Sequence, residues 1–154
     1  MLPYLGIASG ICAADLLVKE TVKEQIKEHE KKYVCENKLI LTKYFNPGAA
    51  LGALGDYPLA LKCVTMFGTG TVTGALAALS EKKNCGLQKL GLSMMLGGAA
   101  SNAYERFRYE KVTDYIQFNF GNEKFRKVVY NIGDFAIFAG GLLVCVGEIA
   151  NKEK

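Results

Sequence analysis

Four stretches of this sequence carry almost no charge, and they constrain the fold more than any other feature. Residues 1–14, 63–80 and 90–104 contain no Asp, Glu, Lys or Arg, and residues 128–147 contain only Asp134. Blocks rich in Lys and Glu separate these stretches. A helix that crosses a bilayer needs about 20 mostly apolar residues. The pattern therefore predicts four membrane-spanning helices.

The expected fold class is an all-α membrane protein, a bundle of four transmembrane helices in one integral-membrane domain over residues 1–154. The predicted helices cover about residues 2–18, 57–80, 87–105 and 131–149. They are rich in small residues, as in FGTGTVTGALAAL and LGGAASNA, which let helix backbones approach closely in lipid. Each stretch is short for a span, so a soluble bundle of buried helices is the alternative interpretation.

The two long connections, about residues 19–56 and 106–130, are expected to form a small β-containing and amphipathic segment outside the membrane. Residues 38–45 alternate weakly and predict a short strand, and VTDYIQFNF suggests another. In the charged helix that follows the first span, Val18, Val22 and Ile26 form a thin apolar stripe. Such a stripe is expected to lie against the bilayer surface.

Composition excludes several classes of function. The net charge of +4 is too small to indicate nucleic acid, and Glu alternates with Lys in the most charged segment. The sequence has a single histidine, His29, and it lies among charged residues. A Ser–His–Asp or Cys–His catalytic arrangement is therefore not expected. The five cysteines show no CxxC spacing and predict neither a disulfide framework nor a metal site. We therefore expect no nucleic-acid partner and no metal.

Chain parity places most polar residues of the apolar regions at one membrane face. The first and third connections lie on the same side, and so do the ends of the helices that lead into and out of them. The residues concerned are Asp15, Asn46, Asn102, Glu105, Arg106, Asp114 and Asp134. Ionisable groups within spans are energetically costly and usually functional. The sequence therefore predicts a site at this face.

The residue types limit the chemistry that this site can perform. Two carboxylates that lie close together share a proton, because they cannot both ionise. The ionised carboxylate can take a proton from water while the protonated one polarises a carbonyl group. That arrangement hydrolyses an amide without a covalent intermediate. The alternative is that Asp15, Asp114 and Asp134 only cap helices or pair with Lys and Arg.

Five motifs in this order resemble those of one known family, the lipoprotein (type II) signal peptidases, which are integral-membrane aspartic peptidases. The motifs are DLLVK, NPGAALG, GGAASNAYER, VTDYIQF and YNIGDFAI, and they run the length of the chain. The resemblance implies cleavage of lipid-modified prolipoproteins before the diacylglyceryl-cysteine, without metal or cofactor. It also implies a monomer in the cytoplasmic membrane, in contact with membrane lipids, with its active site near the extracytoplasmic face.

The resemblance assigns roles to individual residues. The catalytic pair would be Asp114 and Asp134. The residues that would bind substrate are Asn46, Gly48, Asn102, Arg106 and Asn131, and those that would support the site are Asp15, Lys19 and Glu105.

Two departures from the family pattern leave an alternative open. Glu105 stands where the family has Asp, which suggests that the neighbouring Arg106 is held differently. Gly133 replaces the usual Ala before Asp134 and makes the backbone there less rigid. The alternative is a non-catalytic membrane protein with four spans that binds lipopeptides or another membrane partner.

The distribution of basic residues opposes the orientation that the resemblance implies. The two connections expected outside the cell hold 13 Lys and Arg residues, seven in residues 19–43 and six in 106–127. The inner side holds five. Because basic residues usually remain inside, this count predicts the opposite orientation. We nevertheless base the expected orientation on the motifs, which places both long connections outside the cell.

Overall fold

A computed structural model describes residues 1–28, 30–49 and 53–152 of the chain. The expectations for His29 and for the last three residues of the NPGAALG motif lie outside these ranges. Within them, the elements follow in the order α1 (Leu2–Gln25), β1 (Lys31–Val34), β2 (Leu39–Asn46), α2 (Pro58–Ala78), α3 (Gly86–Tyr109), β3 (Val112–Phe118), α4 (Glu123–Arg126), β4 (Val129–Tyr130) and α5 (Ile132–Lys152).

Three of the helices are long and apolar enough to cross a membrane. They are Leu2–Gln25, Pro58–Ala78 and Ile132–Asn151. In the most apolar 18-residue stretch of each of these helices, only 11–22% is buried inside the protein. Large apolar side chains such as Phe67 on α2 and Phe138 on α5 point outward, with 79% and 69% of their surface exposed. Outward apolar surfaces suit lipid, so the prediction of membrane helices is confirmed for these three.

The helix α3 is more polar and packs against α1, α2 and α5. It buries Gln88, Lys89, Ser93, Ser101, Asn102 and Glu105. Its glycines allow close packing, because a Cβ atom on Gly98 would collide with the carbonyl oxygen of Gly133 on α5. The neighbouring helices separate these polar side chains from the lipid-facing surface. This arrangement explains why α3 can be polar inside an apolar bundle.

A four-stranded antiparallel sheet with strand order β1-β2-β3-β4 covers one end of the helices. The strands predicted at residues 38–45 and in VTDYIQFNF are confirmed as β2 and β3, whereas β1 and β4 were not predicted. The pairing of β2 with β3 shifts register between Leu41 and Tyr44 and then sets Tyr44 opposite Asp114. The sheet therefore carries Asn46 and Asp114 towards the same end of α3.

The structure corrects the expected role of the apolar stripe that follows the first span. The helix α1 runs without a break to Gln25, so the charged helix expected after residue 18 is its continuation. Val22 and Ile26 form a buried cluster with Tyr115 of β3, and Val18 packs against it. The expectation that this stripe lies against the bilayer is therefore wrong, because the sheet covers it. The helix α3 likewise continues past residue 105, to Tyr109.

Candidate active site

A cavity of about 360 Å³ lies where α3 and α5 meet the sheet. It is lined by all seven residues that the sequence assigned to catalysis or substrate binding, namely Asn46, Gly48, Asn102, Arg106, Asp114, Asn131 and Asp134. Apolar side chains, among them Val112, Ile137 and Phe138, complete its walls. The predicted polar residues are therefore brought together from two helices and two connections.

Asp114 lies on β3 with only 2% of its surface exposed. Its Oδ1 atom accepts a hydrogen bond from Asn131 Nδ2 at 2.7 Å, and its Oδ2 atom accepts one from Asn46 Nδ2 at 3.0 Å. Burial and the nearby charge of Asp134 raise the pKa of Asp114 to about 7. This carboxyl group therefore keeps its proton up to about neutral pH.

Asp134 lies in the first turn of α5. Its Oδ1 atom accepts a hydrogen bond from Asn102 Nδ2 at 3.0 Å, and its Oδ2 atom accepts one from the backbone N–H of Asn131 at 3.0 Å. Unpaired amides and the helix dipole at a helix N-terminus favour negative charge. The two carboxyl groups therefore have different surroundings, with Asp114 buried on a strand and Asp134 at the start of a helix.

Asn131 connects the two carboxyl-bearing residues. Besides its donation to Asp114, its Oδ1 atom accepts a hydrogen bond from the backbone N–H of Asp134 at 2.9 Å. The residue is completely buried. Asn131 thus fixes the Asp114 carboxyl group against the first turn of α5.

Arg106 joins the loop after β2 to α2. Its Nη2 atom donates to the carbonyl oxygen of Gly48 at 2.9 Å, and its Nη1 atom donates to Thr65 Oγ1 at 3.1 Å. The loop is itself shaped by Asn46, whose Oδ1 atom accepts from the Gly48 N–H at 2.9 Å. The Nε atom of Arg106 is buried and has no hydrogen-bond partner among the described residues. This N–H group of the guanidinium is therefore unsatisfied in the described part of the structure.

The three residues predicted to support the site lie beside the cavity and do not line it. Lys19 Nζ contacts Asp15 Oδ2 at 2.8 Å and Glu105 Oε2 at 3.4 Å, and it donates to Asn102 Oδ1 at 2.7 Å. All three charged side chains are almost completely buried. Because Asn102 in turn donates to Asp134, this ion cluster orients a side chain of the cavity.

The side chains of Glu105 and Arg106 bind different partners. Its carboxylate contacts Lys23 Nζ at 2.6 Å and accepts hydrogen bonds from the backbone N–H and the hydroxyl group of Thr113, at 2.7 and 2.9 Å. The longer acid thus ties α3 to β3 and to the charged end of α1.

Sequence reasoning missed several residues that complete the site. Ser101 Oγ donates to Asp15 Oδ2 at 2.5 Å, and Thr65 holds Arg106. Tyr115 and Thr113 flank Asp114 on β3, and both make buried hydrogen bonds. Ser101, Thr113 and Tyr115 each stand beside a predicted site residue within a motif, which was the available signal, whereas Thr65 lies outside all five motifs and gave none.

Within the described part of the chain, no group of three or more His, Cys, Asp or Glu side chains has an arrangement that could hold a metal ion. The cavity offers two carboxyl groups, three side-chain amides and one guanidinium group. This donor set suits acid–base chemistry on a peptide, with the amides and guanidinium as hydrogen-bond donors.

Comparison with known proteins shows which family this chain resembles. The profile of the family described as Signal peptidase (SPase) II matches residues 7–150. A lipoprotein signal peptidase of Moorella thermoacetica is 29% identical over 144 residues, which cover 94% of this chain and 91% of the relative. Another from Listeria monocytogenes is 28% identical over 151 residues, covering 98% and 96%.

Two solved bacterial membrane enzymes, both determined by the in meso method, share the fold. One superimposes with a TM-score of 0.84 at 21% identity, over 99% of this chain and 90% of that one. The other has a TM-score of 0.77 at 23% identity, over 95% and 92%. With the family profile spanning nearly the whole sequence, the chain belongs to the signal peptidase II family.

Proposed function

We propose that Asp114 and Asp134 are the catalytic pair of this signal peptidase, and that they cleave a prolipoprotein before its diacylglyceryl-modified cysteine. The observation that carries the proposal is that both carboxyl groups line one cavity and are held by the same asparagine, Asn131. The pKa of Asp114, about 7, gives the pair one proton to share near neutral pH.

The surroundings of the two carboxyl groups suggest their roles. Asp134, ionised at the start of α5, takes a proton from a water molecule, whose oxygen attacks the carbonyl carbon of the scissile bond. Protonated Asp114 donates its proton to the carbonyl oxygen, which gives a tetrahedral diol. The leaving nitrogen then receives the proton held by Asp134 as the C–N bond breaks, and the diol returns its proton to Asp114. The products are a carboxylic acid and an amine.

The other polar residues of the cavity are proposed to bind the substrate backbone. The unpaired Nε atom of Arg106 can donate to a peptide carbonyl, which would satisfy a buried donor that otherwise costs stability. The amide groups of Asn46 and Asn102 orient the carboxyl groups from either side. The Gly48 loop, held by Arg106, forms the rim beside them.

The proposed placement makes α3 the fourth membrane span, within one integral-membrane domain over residues 1–154. The outer helices α1, α2 and α5 present apolar surfaces to lipid, and α3 lies against all three. The sheet and the cavity would then lie at the extracytoplasmic face, where the lipid of a substrate can stay in the bilayer while its peptide enters the cavity. The protein would act as a monomer in the cell membrane, with contacts to membrane lipids.

The test is cleavage of a diacylglyceryl-modified prolipoprotein peptide by the purified protein in detergent, with the cut mapped by mass spectrometry. The protein should cut before the lipidated cysteine. Asp114→Asn and Asp134→Asn should each lose activity by about 10²–10⁴-fold while remaining folded, which is the usual contribution of a general acid or base. Asp56→Asn, at an exposed position outside the cavity, is the matched control and should keep full activity.

Two outcomes would overturn the proposal. Substantial activity in either cavity variant would remove that aspartate from the pair. Binding of the peptide without any turnover by the unaltered protein would favour the non-catalytic lipopeptide-binding alternative.

A further inference from the structure

Tyr115 follows Asp114 on β3, but its side chain does not line the cavity. Its ring packs in a buried cluster with Val22 and Ile26 of α1, and only 2% of its surface is exposed. Successive side chains on a strand point to opposite faces. Asp114 therefore faces the cavity, while Tyr115 faces the junction of α1 and α5.

The Tyr115 hydroxyl group makes two hydrogen bonds at this junction. It donates to Asp15 Oδ1 at 2.9 Å, and it accepts from the backbone N–H of Ile132 at 3.0 Å. Ile132 is the first residue of α5, where backbone N–H groups have no acceptor within the helix. Burial and the Asp15 charge raise the pKa of Tyr115, so the group stays a neutral hydroxyl that can both donate and accept.

These contacts matter because Ile132 lies two residues before Asp134. Asn131 is one connection between the two carboxyl groups, on the cavity side of β3. The Tyr115 hydroxyl is a second connection, on the opposite face of the strand. Asp15 holds the hydroxyl in place and is itself fixed by Lys19 and Ser101. The start of α5 is thus tied to the strand of Asp114 from both faces.

We infer that Tyr115 is a positioning residue for the catalytic pair, whose hydroxyl group fixes the first turn of α5, and with it Asp134, relative to Asp114. The inference rests on the proposed function of that pair. Two carboxyl groups that share a proton repel each other when both ionise, so an unrestrained helix start would let them move apart. Misplacement of a reacting group by about 1 Å costs about 10²-fold in rate.

The test is Tyr115→Phe, which keeps the ring and its packing and removes only the hydroxyl group. We expect kcat to fall by about 10- to 100-fold, with KM changed less than about twofold, because the substrate contacts are unaltered. The alkaline limb of the pH profile should move to lower pH, since weaker coupling lowers the pKa of the protonated carboxyl group. Tyr33→Phe, an exposed tyrosine on β1 of the same sheet, should leave all three quantities unchanged.

The inference fails if Tyr115→Phe keeps the kcat and the pH profile of the unmodified protein. It also fails if activity falls only in proportion to the folded fraction, measured by thermal unfolding. A measurement on the unmodified protein does not depend on the variant: NMR should show the Tyr115 hydroxyl proton in contact with the Ile132 amide proton, and the lack of that contact overturns the inference. Asp114→Asn separates the two proposals, since activity in that variant refutes the pair itself.

Discussion

Replacing Asp114 with asparagine should stabilise the folded protein at alkaline pH while it removes activity. In the folded state the pKa of Asp114 is raised to about 7, above the value of about 3.9 of an aspartate in an unfolded chain. The folded protein therefore holds this proton more tightly than the unfolded chain does. The contribution of Asp114 to the free energy of unfolding therefore falls as pH rises from about 3.9 to about 7, and it is constant above that range.

The size of the effect follows from the two pKa values. Each pH unit between them costs about 1.4 kcal/mol, so the cost is about 1.5 kcal/mol at pH 5 and about 4 kcal/mol at pH 8. Asparagine never ionises and does not bear this cost. Both Asp114 oxygens accept hydrogen bonds from amide groups, so asparagine loses one of them, because its own amide nitrogen cannot accept. That cost is the same at pH 5 and pH 8, and the prediction therefore concerns the change between the two pH values.

The assay is equilibrium unfolding in detergent at pH 5 and pH 8. The stability advantage of Asp114→Asn over the unmodified protein should grow by about 2.5 kcal/mol between these two values. Asp56→Asn, at an exposed position, serves as the control and should show no such growth. An advantage that is the same at both pH values, or that is larger at pH 5, would refute the account of how burial and Asp134 act on Asp114.

Three further substitutions test the surroundings of the cavity. Lys19→Met leaves the buried carboxylates around it without their shared cation and should lower the free energy of unfolding by about 3–5 kcal/mol, measured by denaturant unfolding. Gly98→Ala puts a Cβ atom against the backbone of α5 and should cost about 1–3 kcal/mol, whereas Gly74→Ala, where the added atom meets open space, should cost nothing. Arg106→Lys keeps the charge but loses the paired donors that hold the Gly48 loop, so kcat/KM should fall by about tenfold or more in the peptide assay.

Much of the site could be predicted from the sequence because membrane helices leave a strong signal. Long runs without charge fix where helices lie, and the few polar residues at their ends then stand out. Chain parity and the order of the motifs were enough to place Asn46, Asn102, Asp114 and Asp134 together, and the structure lines one cavity with them.

The remaining features depend on tertiary contacts that leave no periodic pattern. Lys23 resembles any solvated lysine of a charged helix, yet it contacts the buried Glu105. The stripe of Val22 and Ile26 looks the same whether lipid or a sheet covers it, and only the position of β3 decides. Tyr115 on its own resembles an ordinary strand residue, since its two partners lie 100 and 17 residues away in the chain.

The most direct test of the shared proton is the pH dependence of kcat/KM for cleavage of the diacylglyceryl-modified peptide. This quantity reports the ionisation of the free enzyme. The account predicts a maximum on the acidic side of neutrality and an alkaline limb with its midpoint near pH 7, where Asp114 loses its proton. Activity that continues to rise or stays constant from pH 7 to about pH 9 would show that no such proton is needed, and would contradict a pair of carboxyl groups as the catalyst.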